Sequence, residues 1–184
     1  CPQKYVTGAL AEGEIAAEAV LGFLKDEKQT AAKDADSEAK QNEKQAEYEN
    51  FLNNPQGLLT TEQLEETMQK IMDQYAGGIA TDYRYNESRL ALAKEKITSL
   101  QKLVDGLAAE DMDDLLRIYE VKERLVVCQV VIAHLLARKE TRWHSFNENL
   151  DHPETDEKFE KYVNSRMEDG KLHILFRDLV KGDT

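Results

Sequence analysis

The chain has 184 residues, a formal net charge of −12 and two cysteines. That length allows one sizeable core, or one core and a fragment of another. The acidity excludes a nucleic-acid surface, which needs a clustered basic footprint; no apolar run is long enough to span a membrane, no cleavable leader opens the chain, and Cys1 and Cys128 make no disulfide framework. The expected compartment is the cytoplasm.

Taken in order, residues 9–24 are Ala-rich and helical in pattern, with Ile15, Ala16, Ala19, Val20 and Phe23 on one side. Small residues at Ala11, Gly13, Ala16 and Ala17 admit the close approach of another backbone, for which the sequence offers no evident partner. Residues 25–57 read as a charged linker or solvated helix. Apolar side chains resume only at Tyr48, Phe51 and Leu52, and Asn53-Asn54-Pro55-Gln56-Gly57 is a break.

Three helices follow. Residues 61–76 open on Thr60 and Gln63, which have capping-box spacing, carry Leu64, Met68, Ile71 and Tyr75 on one face, and stop at Gly77-Gly78. Residues 86–107 place Leu90, Ala93, Ile97, Leu100, Val104 and Leu107 at steps of three and four. Residues 111–143 form the central helix. Asp111 and Asp114 suit its N-terminal dipole, and Ile118, Val121, Leu125, Cys128, Ile132 and Leu135 form its main stripe. Leu116, Val126, Val127, Val130, Val131 and Leu136 widen that stripe so far that neighbours on several sides are expected.

Beyond Trp143 the periodicity is lost. Residues 147–156 are polar and contain Pro153; residues 158–167 read as a short helix; residues 171–180 alternate through Leu172, Ile174 and Phe176 as one short strand. A lone strand is unstable in water and needs a partner strand or an outside surface. The fold class is therefore mainly α: a helical bundle over residues 58–144, an N-terminal helix, and an extended C-terminal tail over residues 145–184.

The chemistry is sparse. The sequence has no GxGxxG, no Walker loop and no CxxC, and His134, His144, His152 and His173 lack metal-ligand spacing. No metal site and no catalytic residue are assigned. His134, mid-helix among apolar residues, is expected to be a hydrogen-bonded core or interface histidine. Glu140-Thr141-Arg142-Trp143 reads as an anchoring salt-bridge cluster rather than a binding site, and Asp151, Glu154, Asp156 and Glu157 as a solvated acidic loop.

Several strings are more specific than their composition. Cys1-Pro2-Gln3-Lys4-Tyr5-Val6-Thr7-Gly8-Ala9-Leu10-Ala11-Glu12-Gly13 resembles the last flavin-contacting loop and helix start of the fumarate reductase and succinate dehydrogenase flavoprotein superfamily. Lys4, Tyr5, Thr7, Gly8 and Ala11-Glu12-Gly13 are most similar to its adenylylsulfate (APS) reductase alpha-subunit branch. The match continues in order through Pro55-Gln56-Gly57-Leu58, Met72-Asp73-Gln74-Tyr75-Ala76-Gly77-Gly78, Asn86-Glu87 and Arg117-Ile118-Tyr119-Glu120-Val121-Lys122-Glu123-Arg124-Leu125. It closes with Arg138-Lys139-Glu140-Thr141-Arg142-Trp143, Asp151-His152-Pro153-Glu154-Thr155-Asp156 and Tyr162-Val163-Asn164-Ser165.

The resemblance implies a parent oxidoreductase whose FAD-binding and capping domains precede Cys1, with residues 1–24 as the last loop and helix of the FAD-binding domain. Tyr5, Val6, Thr7, Gly8 and Ala9 would contact the flavin, mostly through their backbone. FAD is implied for the parent and none for this piece alone, which is expected to be inactive. An iron–sulfur beta subunit is the implied electron donor. The chain departs from the branch at Gln3, where APS reductases carry a histidine, and at Val6 and Ala9, where they carry serines. Two other readings stand beside it: the same domain in an enzyme acting on a small dicarboxylate, and a free-standing helical interaction module.

Overall fold

A computed structural model describes residues 2–26, 34–54, 57, 59–142, 144 and 146–180. Its elements are α1 (Pro2–Asp26), α2 (Asp34–Leu52), α3 (Thr61–Tyr75), β1 (Arg84–Tyr85), α4 (Glu87–Gln101), α5 (Met112–Ala137), β2 (Glu148–Asn149), β3 (Lys161–Glu168) and β4 (Lys171–Asp178). Short 3-10 turns occur at Ile79–Thr81, Val104–Gly106 and Glu157–Phe159. The chain divides into two compact units, Cys1–Ala46 and Glu47–Thr184.

In the first unit, α1 is continuous from Pro2, and its side chains from Ala9 to Lys25 are all exposed. Leu10 is 69% exposed and Phe23 60%. Pro2 suits the first helical position because its missing N–H would be unpaired there in any case. Residues 27–33 of the expected linker lie outside the described residues; the remainder is helical up to Leu52.

In the second unit, α3, α4 and α5 pack against one another. Their interface is the set of apolar positions spaced by three and four: Leu64, Met68 and Ile71 from α3; Leu90, Ala93, Ile97 and Leu100 from α4; Leu115, Ile118, Val121, Leu125 and Ile132 from α5. Each helix has its own start signal. The Thr60 side chain accepts from the Gln63 backbone N–H at 3.2 Å while the Gln63 side chain accepts from the Thr60 N–H at 3.0 Å, completing the capping box. Asn86 caps α4, and Asp111 caps α5 by accepting from the N–H groups of Asp113 and Asp114. Gly77, at φ +81°, takes the left-handed conformation that ends α3.

Four details differ from the sequence expectation. α4 ends at Gln101 and the chain continues through the 3-10 turn at Val104–Gly106, which still delivers Val104 and Leu107 to the core. α5 ends at Ala137, before the charged string; Trp143 itself lies outside the described residues. The wide apolar girth of α5 is not enclosed on several sides, since Leu116 is 60% exposed and Val127 59%. And Phe51, in the segment read as linker, is 1% exposed. Its ring meets Tyr119 edge-on at 6.2 Å, Tyr48 meets the Tyr119 ring at 5.4 Å, and Lys122 pairs with Glu47 while lying over the Phe51 and Tyr119 rings. Asn54 Nδ2 donates to the carbonyls of Gly106 and Leu107, and Ala109 N–H to that of Phe51, so the end of α2 is stitched to the segment leading into α5.

The tail also departs from expectation. Residues 161–168 are a strand, not part of a short helix, and they supply the partner that the lone strand lacked. β3 and β4 pair antiparallel from Lys161↔Asp178 to Glu168↔Lys171. They are joined by Asp169-Gly170 at φ 48° and 71°, a two-residue hairpin turn whose backbone twist suits paired strands. The register sets Val163, Ser165 and Met167 opposite Phe176, Ile174 and Leu172 on one face. The hairpin contacts α5. β1 and β2 form a short parallel pair, with Arg84 Nε 3.2 Å from Glu148 Oε2.

Candidate functional site

Tyr5, Val6, Thr7, Gly8 and Ala9 all fall inside α1. The resemblance suggests a loop running into a helix; here the helix already begins at Pro2. An α-helical N–H bonds to the carbonyl four residues back, so only the first turn keeps free donors. The N–H groups of Val6 to Ala9 are thus spent on carbonyls four residues back within α1.

The described polar chemistry concentrates at the other end of the molecule, around Glu140. This carboxylate is 2% exposed. Its Oε1 lies 2.6 Å from Arg138 Nη1 and accepts from Arg142 Nε at 3.0 Å; its Oε2 accepts from Arg142 Nη2 at 3.0 Å and from the Asp156 N–H at 2.9 Å. Burial alone would raise its pKa, but hydrogen bonds from Arg142, the Asp156 backbone and Arg138 together hold it below the usual carboxylate range. A buried carboxylate is tolerated only when paired and hydrogen-bonded on both oxygens, and this one is.

The two arginines extend the hub. Arg138 donates to the carbonyls of Phe159 at 3.0 Å and Lys161 at 2.7 Å, at the start of β3, and Arg142 reaches the Asp156 carbonyl. Thr141, also 2% exposed, donates to the His152 carbonyl at 2.9 Å and accepts from the Asn149 N–H at 3.0 Å. Thr155 Oγ1 donates back to the Thr141 carbonyl. The string beyond α5 is thus an anchor that fastens the 149–156 loop and the hairpin to the bundle. This matches the structural reading of that string.

A second knot holds the same loop to α4. Asp151 Oδ2 accepts from the Glu87 N–H at 2.7 Å, and Glu87 Oε1 lies 2.9 Å from Lys139 Nζ and 3.1 Å from His152 Nε2. Lys139 first, then His152, hold the Glu87 carboxyl below its usual range. Asp151 and Asp156 are therefore working members of the anchor rather than a merely solvated loop, and spacing alone did not reveal it. Asp151 serves the α4 N-terminus from 64 positions away in the chain.

Among the described residues no group of His, Cys, Asp and Glu is placed to hold a metal ion. His134 Nε2 is buried without a hydrogen-bond partner among the described residues, where a bonded histidine was expected. The Cys128 thiol is half-buried, and burial raises its pKa.

No family model matches the chain. An uncharacterized FAD-dependent oxidoreductase of Methanocaldococcus jannaschii is 32% identical over 108 residues, 59% of this chain and 19% of that protein. The adenylylsulfate reductase alpha subunit of Megalodesulfovibrio gigas is 30% identical over 103 residues, 55% of this chain and 16% of that protein. Among solved structures, adenylylsulfate reductase from the hyperthermophile Archaeoglobus fulgidus superposes with a TM-score of 0.81 at 32% identity, covering 92% of this chain and 28% of that one. The E. coli quinol fumarate reductase flavoprotein superposes at 0.68 with 20% identity over 84% of this chain, a likeness of fold alone. The chain spans less than a fifth of the length of the curated relatives and just over a quarter of the solved chains. In sequence and fold, then, this chain resembles part of the APS reductase alpha subunit, as its motifs suggest.

Proposed function

We propose that this chain is the C-terminal helical domain of an FAD-dependent oxidoreductase of the APS reductase kind, whose parent converts adenylylsulfate to sulfite and AMP. The observation that carries the reading is the 0.81 TM-score at 32% identity over 92% of the chain. FAD, held mainly by domains preceding Cys1, would supply the two electrons needed to reduce the substrate sulfur, and an iron–sulfur beta subunit would deliver them, in the cytoplasm.

The chain's own contribution at the flavin is the segment from Gln3 to Ala9. Free N–H groups at a helix N-terminus stabilise negative charge, and negative charge grows at the pyrimidine edge of a flavin on reduction. The N–H groups of Gln3 and Lys4, in the first described turn of α1, would serve that task, with Tyr5, Val6, Thr7, Gly8 and Ala9 lining the approach. The exposed apolar side chains of α1, Leu10, Ile15, Val20, Leu21, Phe23 and Leu24, supply the surface on which the preceding domains dock. In the rest of the chain the Glu140 anchor keeps the bundle, the 149–156 loop and the hairpin in one arrangement.

A dicarboxylate reductase is the alternative, and Gln3 favours it over a strict APS reductase: glutamine offers neither the charge nor the proton of a histidine. Against it, the first segment holds no arginine for a bidentate bond to a substrate carboxylate. The test is to assay the full-length flavoprotein with its iron–sulfur partner for AMP-dependent sulfite oxidation beside fumarate reduction. Sulfite oxidation is the expected result; fumarate turnover without it overturns the proposal.

A further inference from the structure

Beside the Glu140 anchor lies a cavity of about 430 Å³, lined by Tyr85, Leu135, Phe146, Asn147, Arg138, Arg142 and the Glu140 carboxylate that the two arginines neutralise. We propose that this cavity binds the C-terminal residue of a peptide, taking its carboxylate on the two arginines and its apolar side chain against Leu135, Tyr85 and Phe146. The inference stands apart from the flavoprotein reading, since it uses only groups in the second compact unit.

Charge is the first argument. One carboxylate, Glu140, serves two guanidinium groups at hydrogen-bond distance; Glu160 acts on Arg142 only from farther away. Arg138 is engaged through Nη1 and Nη2, and Arg142 through Nε and Nη2. Arg138 Nε and Arg142 Nη1 therefore have no partner among the described residues. Both side chains keep access to solvent, at 29% and 31% exposure, whereas Glu140 has none. Fixed planar donors with N–H groups still unused favour a carboxylate, which they can take through charge-assisted hydrogen bonds.

The walls supply the second argument. Phe146, 76% exposed, lines the cavity together with Leu135 and Tyr85, which give it apolar walls beside the two arginines. The volume lies within the range of small-ligand pockets, about 300–1,000 Å³. A ligand must then carry a carboxylate and an apolar group a few atoms apart. The last residue of a peptide does so on one carbon atom. An internal Asp or Glu has the carboxylate without the apolar group. A free amino acid adds an ammonium that the arginines repel. Asn147, whose Oδ1 is buried without a partner among the described residues, also lines the cavity.

The probe is N-acetyl-phenylalanine, titrated into the full chain and followed by the NMR signals of Phe146, Asn147 and the arginine Nε–H groups. N-acetyl-phenylalaninamide and free phenylalanine are run alongside. Saturable binding is expected, at least about tenfold tighter than the amide, in line with one charge-assisted contact, and weakening as salt rises. Phe146→Ala, at an exposed position, should keep the melting temperature and lose most of the affinity. The proposal is overturned by equal binding of acid and amide, by full affinity in Phe146→Ala, or by the absence of saturable shifts. Free phenylalanine binding as tightly as the acetylated form overturns the assignment to a peptide terminus.

Discussion

Glu140 is the residue whose loss should cost the second unit most for its size. Its side chain is wholly buried, and its two oxygens take contacts from Arg138, Arg142 and the Asp156 N–H. Removing one partner of a buried ion pair costs about 3–5 kcal/mol, because the other is left uncompensated. Here the stranded groups are two arginines at 29% and 31% exposure, which recover part of their hydration. Glu140→Ala and Glu140→Gln should therefore fall at the lower end, about 3 kcal/mol, a drop of roughly 6–12 °C in melting temperature for a chain of this size. The pH dependence has a defined sign. The folded-state pKa of Glu140 lies below its ordinary value of 4.5, so its contribution is complete above that value and is lost as the pH falls through the folded pKa. Urea unfolding followed by circular dichroism, for wild type and Glu140→Gln at neutral pH and at stepwise lower pH, reads both effects. The gap between the two proteins should be widest near neutrality and close in acid. A gap that is absent at neutral pH, or that does not narrow in acid, refutes the account of the anchor.

Other outcomes follow from the same geometry. Ile132→Ala and Leu125→Ala, both at fully buried positions of α5, should each cost about 2–5 kcal/mol in urea unfolding. Phe51→Ala should cost about 3–5 kcal/mol, although Phe51 sits at the end of an otherwise polar helix; an unchanged midpoint would mean that α2 does not close the core. Native-state amide exchange should be fast along α1, whose side chains from Ala9 to Lys25 are exposed, and slow in β3 next to Arg138; uniform slow exchange in a verified monomer would contradict this. The purified chain should show no flavin absorbance, because its sequence contains no GxGxxG with which to grip the ADP half of FAD; a stoichiometric flavin band would refute that.

The bundle was legible because its signal is local. Leu64, Met68 and Ile71, and Leu90, Ala93, Ile97 and Leu100, are spaced as one helical face, and the caps at Thr60, Asn86 and Asp111 stand beside them in the sequence. What stayed hidden depends on distant groups. Phe51 is buried only because α5 brings Tyr119 and Lys122 over it. The width of α5's apolar arc cannot by itself say which side meets a neighbour, and Leu116 and Val127 are left outside. The hairpin was available: Asp169-Gly170 between two runs of equal length is a strong two-residue turn signal, masked by the polar Asn164, Ser165 and Arg166 that break the apolar alternation of β3.

The end of α5 shows what a closer reading of spacing would have given. Arg138, Glu140 and Arg142 are separated by two residues each. On a helix such positions point apart, so one carboxylate could not bridge both arginines. On an extended chain, positions two apart share a face. A continuous helix to Trp143 and a Glu140-centred salt-bridge cluster are therefore incompatible, and the cluster requires the helix to stop before Glu140. The structure ends α5 at Ala137, with Arg138 extended at φ −89° and ψ 101°. The backbone leaves the helix where the side chains need it to, and the buried carboxylate compensates for the helical bonds given up. Because the residues that end the helix also hold the 149–156 loop and the start of β3, a change at any one of them should loosen all three segments together.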